Sequence, residues 1–378
     1  MISNEERAAH ISGDILEITK ATKLRSVYIL GARQRSRILK TEEEWNLYES
    51  AVLIRLDIET GRVQTCVEYK TPPEARAHDL SSNVFKSATL VDDKLFACTS
   101  TEVLVFKVPS FDRIGYISLP MFNDLHHVRP SLDGNLLVVS TGLDMVIKCT
   151  PQGVVLQEWS ALGEDPWSRF SRETDYRKVE STKPHRSHPN FVFELKDQVW
   201  VTRFHQKDAV CLQDRAKRIE IAIQRPHDGS LFGDQLYFTT VDGRIVVANS
   251  VTLKLEKIID LRTFGDSNLL GWCRGVLPID NRRMWVGFTR VRKTRFKENI
   301  LWARSLLREG AIEQPTRVAL YDVVEGRCLR EFNLEPHGLN LVFSILAGPE
   351  VREKVSRPQS AAMALGDQPA NCERWDER

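Results

Sequence analysis

Short apolar runs rich in Val, Ile, Leu, Phe and Tyr recur along most of the chain, separated by turns built on Gly and Asp. The unit is plainest at 226–249. There His227 opens a short run, Gly233-Asp234 turns the chain, and a β-branched and aromatic run follows. Val241-Asp242-Gly243 then leads into a third run. Runs of this kind between such dipeptides are strands joined by tight turns.

The rest of the chain repeats the unit. Residues 26–31, 51–57 and 62–68 form a first set. A second set comprises 86–91, 94–99, 103–108 and 113–119, and a third 127–132, 136–141, 144–149 and 153–159. The fourth is 188–195, 198–203, 209–212 and 218–223. The fifth is the 226–249 stretch completed by 253–261, and the sixth is 272–277, 283–288, 317–322 and 327–332. Four-stranded units at intervals of a few tens of residues are the signature of a radial propeller. The first set lacks a strand, and one apolar run, 341–346, is left over near the end. Placed innermost in the first blade, it completes that blade and closes the ring. The expected fold is therefore all-β: a six-bladed β-propeller of four-stranded antiparallel blades, closed by a C-terminal strand in the first blade.

Around this core, residues 1–24 read as an N-terminal helical segment. Ser3 can cap it, Glu5 and Glu6 suit its first turn, and Ile11, Ile15 and Ile18 give a partial apolar face. Residues 25–348 are the propeller. Residues 349–378, polar with Pro, Gln, Asp and Arg, read as a disordered tail. Helical or loop insertions interrupt the strands at 33–50, 160–187 and 289–315.

Topology then locates a site face. In a four-stranded meander the start of the innermost strand, the loop between the second and third strands, and the connections between blades share one end. His127, His188, His227 and Arg274 precede the aligned second strands of four blades by nearly equal distances. Each should start an innermost strand at one mouth of the central channel. The three insertions fall at the same end, and loops on a rigid scaffold are where sites are usually built.

Imidazoles converging on an axis could hold a divalent metal through His127, His188 and His227. They could equally act as acid and base around an anion, with Arg274 as a fork-shaped holder. The structural alternative is that each histidine caps its strand against a neighbouring blade. Alternation in a strand would turn His126 away from the axis. His185 and His205 flank the mouth in loops, and His337 could reach it. The segment 290–308 is basic and amphipathic: Arg290, Arg292 and Lys293 could clamp an anion as a lid, or the segment could pack with a solvated basic face. The insertion 160–187 has mixed charge and aromatic residues, which suggests an ordered lid packed on the rim. Glu102, Asp144, Asp208 and Asp242 each precede a third strand, and are expected to bond turn amides rather than ligands.

Composition narrows the function. The chain has 378 residues, with 53 basic against 51 acidic, so a net charge of +2 drives it onto neither nucleic acid nor membrane. Seven scattered cysteines with no Cys-x-x-Cys pair argue against a disulfide framework and a zinc knuckle, and fit a reducing compartment. The polar, acidic opening residues form no apolar signal core, and no apolar run is long enough to span a bilayer, so a cytoplasmic protein is expected. Nucleophile-elbow, phosphate-loop and dinucleotide-binding motifs are absent. Cys273 beside Arg274 is conceivable as a nucleophile, although buried cysteines are usually inert.

The succession His127-Val128, Val138-Val139-Ser140-Thr141-Gly142, His188-Pro189-Asn190, Pro226-His227-Asp228-Gly229, Cys273-Arg274-Gly275 and Val286-Gly287-Phe288-Thr289-Arg290 resembles an uncharacterised bacterial group of six-bladed propellers in the TolB-like and NHL-like superfamily. The resemblance covers roughly 80–345. It implies the propeller fold and a polar axial site, and no established activity. Related propellers include lactonases, a streptogramin lyase and arylsulfate sulfotransferases. The lactonase metal carboxylates have no clear match here.

The expectation is an axial mouth that binds a small anionic ligand, with His127, His188, His227 and Arg274 around it and a divalent metal as the candidate cofactor. Lyase or transferase chemistry would use histidine as acid and base. A small anionic molecule is favoured over a protein as partner, and neither nucleic acid nor membrane is expected. The alternative is a non-catalytic platform that holds a protein on the decorated face.

Overall fold

The computed structural model describes residues 24–36, 47–265, 269–291 and 314–348. They form six four-stranded antiparallel sheets arranged as the blades of a propeller. Blade one holds β1 (Ser26–Gln34), β2 (Tyr48–Asp57), β3 (Val63–Tyr69) and the last strand, β24 (Leu341–Ala347). Blade two is β4 (Ser87–Val91), β5 (Lys94–Cys98), β6 (Val103–Lys107) and β7 (Asp112–Ile117). Blade three is β8 (Leu125–Pro130), β9 (Leu136–Ser140), β10 (Met145–Cys149) and β11 (Val155–Ser160). Blade four is β12 (Pro189–Leu195), β13 (Gln198–Arg203), β14 (Asp208–Cys211) and β15 (Arg218–Glu220). Blade five is β16 (Pro226–Phe232), β17 (Gln235–Thr240), β18 (Arg244–Asn249) and β19 (Leu255–Asp260). Blade six is β20 (Trp272–Pro278), β21 (Arg283–Thr289), β22 (Arg317–Asp322) and β23 (Arg327–Asn333).

The strand order in blade one is β24-β1-β2-β3, so the C-terminal strand lies innermost and closes the ring. Val27 pairs with Ala347 and Ala32 with Leu341. The innermost strands β4, β8, β12, β16, β20 and β24 each pack on the next around the axis.

Blades stack face to face, so central strands are buried on both sides and alternate residues serve different neighbours. In β1, Val27 and Ile29 pack toward blade six with Trp285 and Val318, whereas Tyr28 and Leu30 pack toward blade two with Leu95 and Ala97. Burying each such side chain contributes about 1.5–3 kcal/mol. This explains why the strands read as continuous apolar runs. Outer strands face water: in β23 most residues are exposed, and in β7 Ile114 and Tyr116 are.

Two glycines let the closing strand approach closely. A Cβ on Gly31 would overlap the Leu341 carbonyl, and one on Gly275 would lie 2.8 Å from the Phe343 carbonyl oxygen. Neither place admits a side chain without moving β24.

The insertion 160–187 is an ordered loop without helix beyond a three-residue 3-10 turn at Tyr176–Lys178. It packs on the rim through Tyr176, Trp167 and Phe170 against Leu143 and Met145. Its Lys178 ammonium donates to the Pro73 and Arg76 carbonyls in the connection between blades one and two. The insertion expected at 33–50 is narrower, because β1 and β2 extend into it from both sides. Residues 37–46 of it, residues 1–23 of the N-terminal segment, most of the 289–315 insertion and the tail lie outside the described residues. No helix among the described residues is long and apolar enough to cross a membrane.

Candidate functional site at the axial mouth

The innermost strands all run the same way, so their starts gather at one mouth. Five of the six share an irregularity there. Leu125 pairs with Ser140 and His127 with Val139, which leaves His126 as an extra residue in β8. In the same way Asn190 and Phe191 in β12 face only Thr202, and His227 in β16 is extra between Pro226 and Asp228. Gly275 is extra in β20, and Phe343 in β24. An inserted residue breaks the two-residue alternation and re-aims side chains, a device often found beside functional sites. Threonines of the neighbouring second strands take up the amides this displaces: Phe191 N donates to Thr202 Oγ1 at 2.9 Å, and Asp228 N to Thr239 Oγ1 at 3.0 Å.

The bulges decide which residues meet. His126 turns inward, with its ring centroid 4.9 Å from that of His188, 5.7 Å from His227 and 6.2 Å from Phe343. His127 turns between blades and packs on Phe191 at 4.9 Å, with its buried Nδ1 lacking a hydrogen-bond partner. Strict alternation assigned these two neighbours the opposite way round. His188, His227 and Arg274 do converge, and His127 does not join them.

Phe343, buried in the closing strand, forms the floor. The Arg274 guanidinium lies 3.9 Å from its ring centroid and the Lys86 ammonium 5.3 Å from it, with His227 at 5.7 Å. Lys86 also pairs with Asp124 at 2.9 Å. Asp124 takes a left-handed backbone conformation (φ 48°), as does His188 (φ 55°). The His126 Nδ1 lies 2.8 Å from the Asp124 carbonyl oxygen and so must be the donor, which leaves Nε2 as the lone-pair nitrogen. His185, from the rim loop, brings its Nδ1 to 2.8 Å from the Nδ1 of His188.

Asp144 holds this loop in place. Its carboxylate accepts from the amides of Arg186 (2.8 Å), Ser187 (3.0 Å) and His188 (2.7 Å), and from Arg169 Nη1 at 2.8 Å. The other acids at third-strand starts bond side chains rather than turn amides. Asp208 pairs with Arg203, Glu102 accepts from Tyr69 and Thr99, and Asp242 accepts from Thr240 and pairs with Arg244. All four are structural ties.

Burial sets the protonation of the mouth. It depresses His126 to about 3 and puts His188 and His227 well below the ordinary imidazole value, with neighbouring imidazoles adding to the effect on His188 and Arg274 to that on His227. His185 is depressed for the same reason. These rings are neutral at pH 7. Burial opposes ionisation of Asp124, yet the Lys86 ammonium beside it holds it well below the usual carboxylate range. Asp228 goes the other way: burial raises it to about 7, against the pull of the Gly229 amide and Arg274.

Arg290 is held by Glu335 in a two-point contact at 2.8 and 2.5 Å, and Arg292 and Lys293 lie outside the described residues. His205 is exposed, its ring 6.3 Å from His188. His337 is exposed on the turn before β24, and His78 pairs with Glu180. Cys273 is buried in the core between blades five and six, where burial drives its thiol well above the ordinary value and makes it a poor nucleophile.

No family model matches the chain, and no curated protein does. Among solved structures, a protein of unknown function from Bacteroides caccae superposes with a TM-score of 0.54 at 12% identity, covering 85% of this chain and 98% of that one. A chain from a nidogen/laminin complex gives a TM-score of 0.50 at 11% identity, covering 85% and 100%. At such identities the likeness is one of fold: the chain is a six-bladed β-propeller with a structural neighbour of unknown function.

Proposed function

We propose that the axial mouth binds a small anionic ligand. The observation that carries this is the sharing of the Phe343 ring by Arg274 and Lys86, which brings two cations to one aromatic ring. The charge balance supports it. Asp124 is the ionised carboxylate among the groups named at the mouth, Asp228 is held toward its neutral form, and the imidazoles are uncharged at pH 7. A ligand with a carboxylate, sulfate or phosphate group would meet the guanidinium fork of Arg274 and the point charge of Lys86.

Acid–base chemistry of lyase or transferase type would fall to the neutral imidazoles of His126, His188 and His227, which can accept a proton from a ligand held over Phe343. His126 takes the part first given to His127. A place among the TolB-like and NHL-like propellers fits the motif succession from His127 to Arg290, and a cytoplasmic setting fits the scattered, unpaired cysteines.

The test is calorimetric titration of the full chain with inorganic phosphate, sulfate and small mono- and dicarboxylates, beside Arg274→Gln and Lys86→Gln. Binding by the parent chain that weakens at least about tenfold in Arg274→Gln is expected. Equal affinity in both variants and the parent would sink the proposal.

A further inference from the structure

Asp124, His185 and His188 each offer one donor atom, and the three atoms lie within 4.8 Å of one another. We propose that these three side chains form a binding site for a divalent first-row transition ion, at the edge of the mouth where the rim loop meets blade three. It is a different set from the three histidines at strand starts, and it uses neither Arg274 nor Phe343, so it does not rest on the anion proposal.

The donor set is chemically apt. Two imidazole nitrogens and one carboxylate oxygen suit zinc, iron, cobalt or nickel, whereas calcium and magnesium prefer all-oxygen shells. Three protein ligands also leave positions open for water or a ligand.

Spacing agrees. With bonds of about 2.0–2.1 Å, two nitrogens on one ion stand about 2.9 Å apart at a right angle and about 3.3 Å apart at a tetrahedral angle. His185 Nδ1 and His188 Nδ1 are 2.8 Å apart. The two imidazoles therefore need little movement to accept an ion with right-angled ligands. A tetrahedral ion would spread the pair by about half an ångström.

The surroundings orient each ligand in the way metal ligands usually are. Thr182 Oγ1 donates its one proton to the Gly142 carbonyl and lies 3.3 Å from His185 Nε2. The hydroxyl can only accept there, so Nε2 carries the hydrogen and Nδ1 faces the site as a lone pair. His188 is fixed by its backbone, since Asp144 grips the three amides leading up to it and holds it at positive φ. Lys86 donates to the Asp124 carboxylate at 2.9 Å and steadies it.

The test uses full-length protein prepared without a histidine tag, stripped with a chelator and titrated with Co(II) and Zn(II). One ion per chain is expected, with visible Co(II) bands reporting nitrogen and oxygen donors. Affinity should fall more than about 100-fold in His185→Gln, His188→Gln and Asp124→Asn. It should persist in His205→Ala, an exposed neighbour, and in Arg274→Gln, which separates this site from the anion site. No stoichiometric ion in the parent chain, unchanged affinity in the ligand variants, or loss in His205→Ala or Arg274→Gln would overturn the assignment. Should a ligand variant fail to fold by circular dichroism, X-ray absorption of the Zn(II)-loaded parent decides. Two imidazoles per ion support the site, and fewer refute it.

Discussion

The Arg274 guanidinium lies 3.9 Å from the centroid of the Phe343 ring, and these two residues come from the innermost strands of blades six and one. One contact therefore spans the seam at which the ring closes and also builds the floor of the mouth. A cation over an aromatic face contributes about 0.5–2 kcal/mol, more as water is excluded. In a double-mutant cycle, Arg274→Met and Phe343→Leu should couple by about that amount in urea denaturation. Additive effects would show that the contact contributes nothing to stability.

Asp144 should behave as a positioning residue. Its carboxylate carries three backbone amides and the Arg169 side chain, and Asp144→Ala strands them where water is scarce. The expected loss is about 3–5 kcal/mol in chemical denaturation, the range for breaking a buried charged contact. Asp144→Asn keeps one acceptor oxygen and should lose less. Both should weaken Co(II) binding through the displaced His188, and unchanged Co(II) affinity in a folded variant would disprove the positioning role.

Asp228 gives the mouth a pH dependence with a definite sign. Its pKa rises from 3.8 to about 7 on folding, so between those values the native state holds a proton that the unfolded chain has released. Stability from this group therefore falls as pH rises from about 4 to about 7, by at most about 1.4 kcal/mol per pH unit, and is level above. Subtracting the thermal-midpoint profile of Asp228→Asn from that of the parent should isolate this slope. A flat difference profile would contradict the assignment. Anion affinity should also weaken as pH rises through 7, because the ionised Asp228 then competes for Arg274.

Gly275 leaves room for β24, since a Cβ there would sit 2.8 Å from the Phe343 carbonyl oxygen and 3.1 Å from the Ile345 amide nitrogen. Gly275→Ala must push two backbones apart. The expected cost is about 1–3 kcal/mol, the usual price of overpacking, with a larger fractional loss of anion affinity than a distant variant of equal stability shows. Equal losses in the two variants would mean that the glycine serves packing alone.

The architecture could be read from apolar periodicity because each blade repeats the same signal and both faces of the central strands are buried. Strand bounds agree to within a few residues, and the closing role of 341–346 follows from counting strands. The mouth could be placed, but its membership could not. A bulge costs one residue and leaves no mark in composition, so His126 and His127 are indistinguishable until the pairing partners of Leu125 and His127 are known. Phe343 was hidden for the same reason, inside what reads as an ordinary apolar run. His185 and Asp124 come together through the rim loop and backbone at positive φ, neither of which strand periodicity reports.

The closing strand also sets an order in time. Chains emerge from the ribosome N-terminus first, so five complete blades and the unfinished first one exist before 341–347 is made. Until then β1 offers an unpaired edge and β20 an uncovered apolar flank, the kind of surface that recruits other strands. The residue that floors the mouth, Phe343, arrives on the segment that seals both. A nascent or truncated ring therefore lacks an assembled mouth, and any activity that the mouth supports can begin only once the ring has closed.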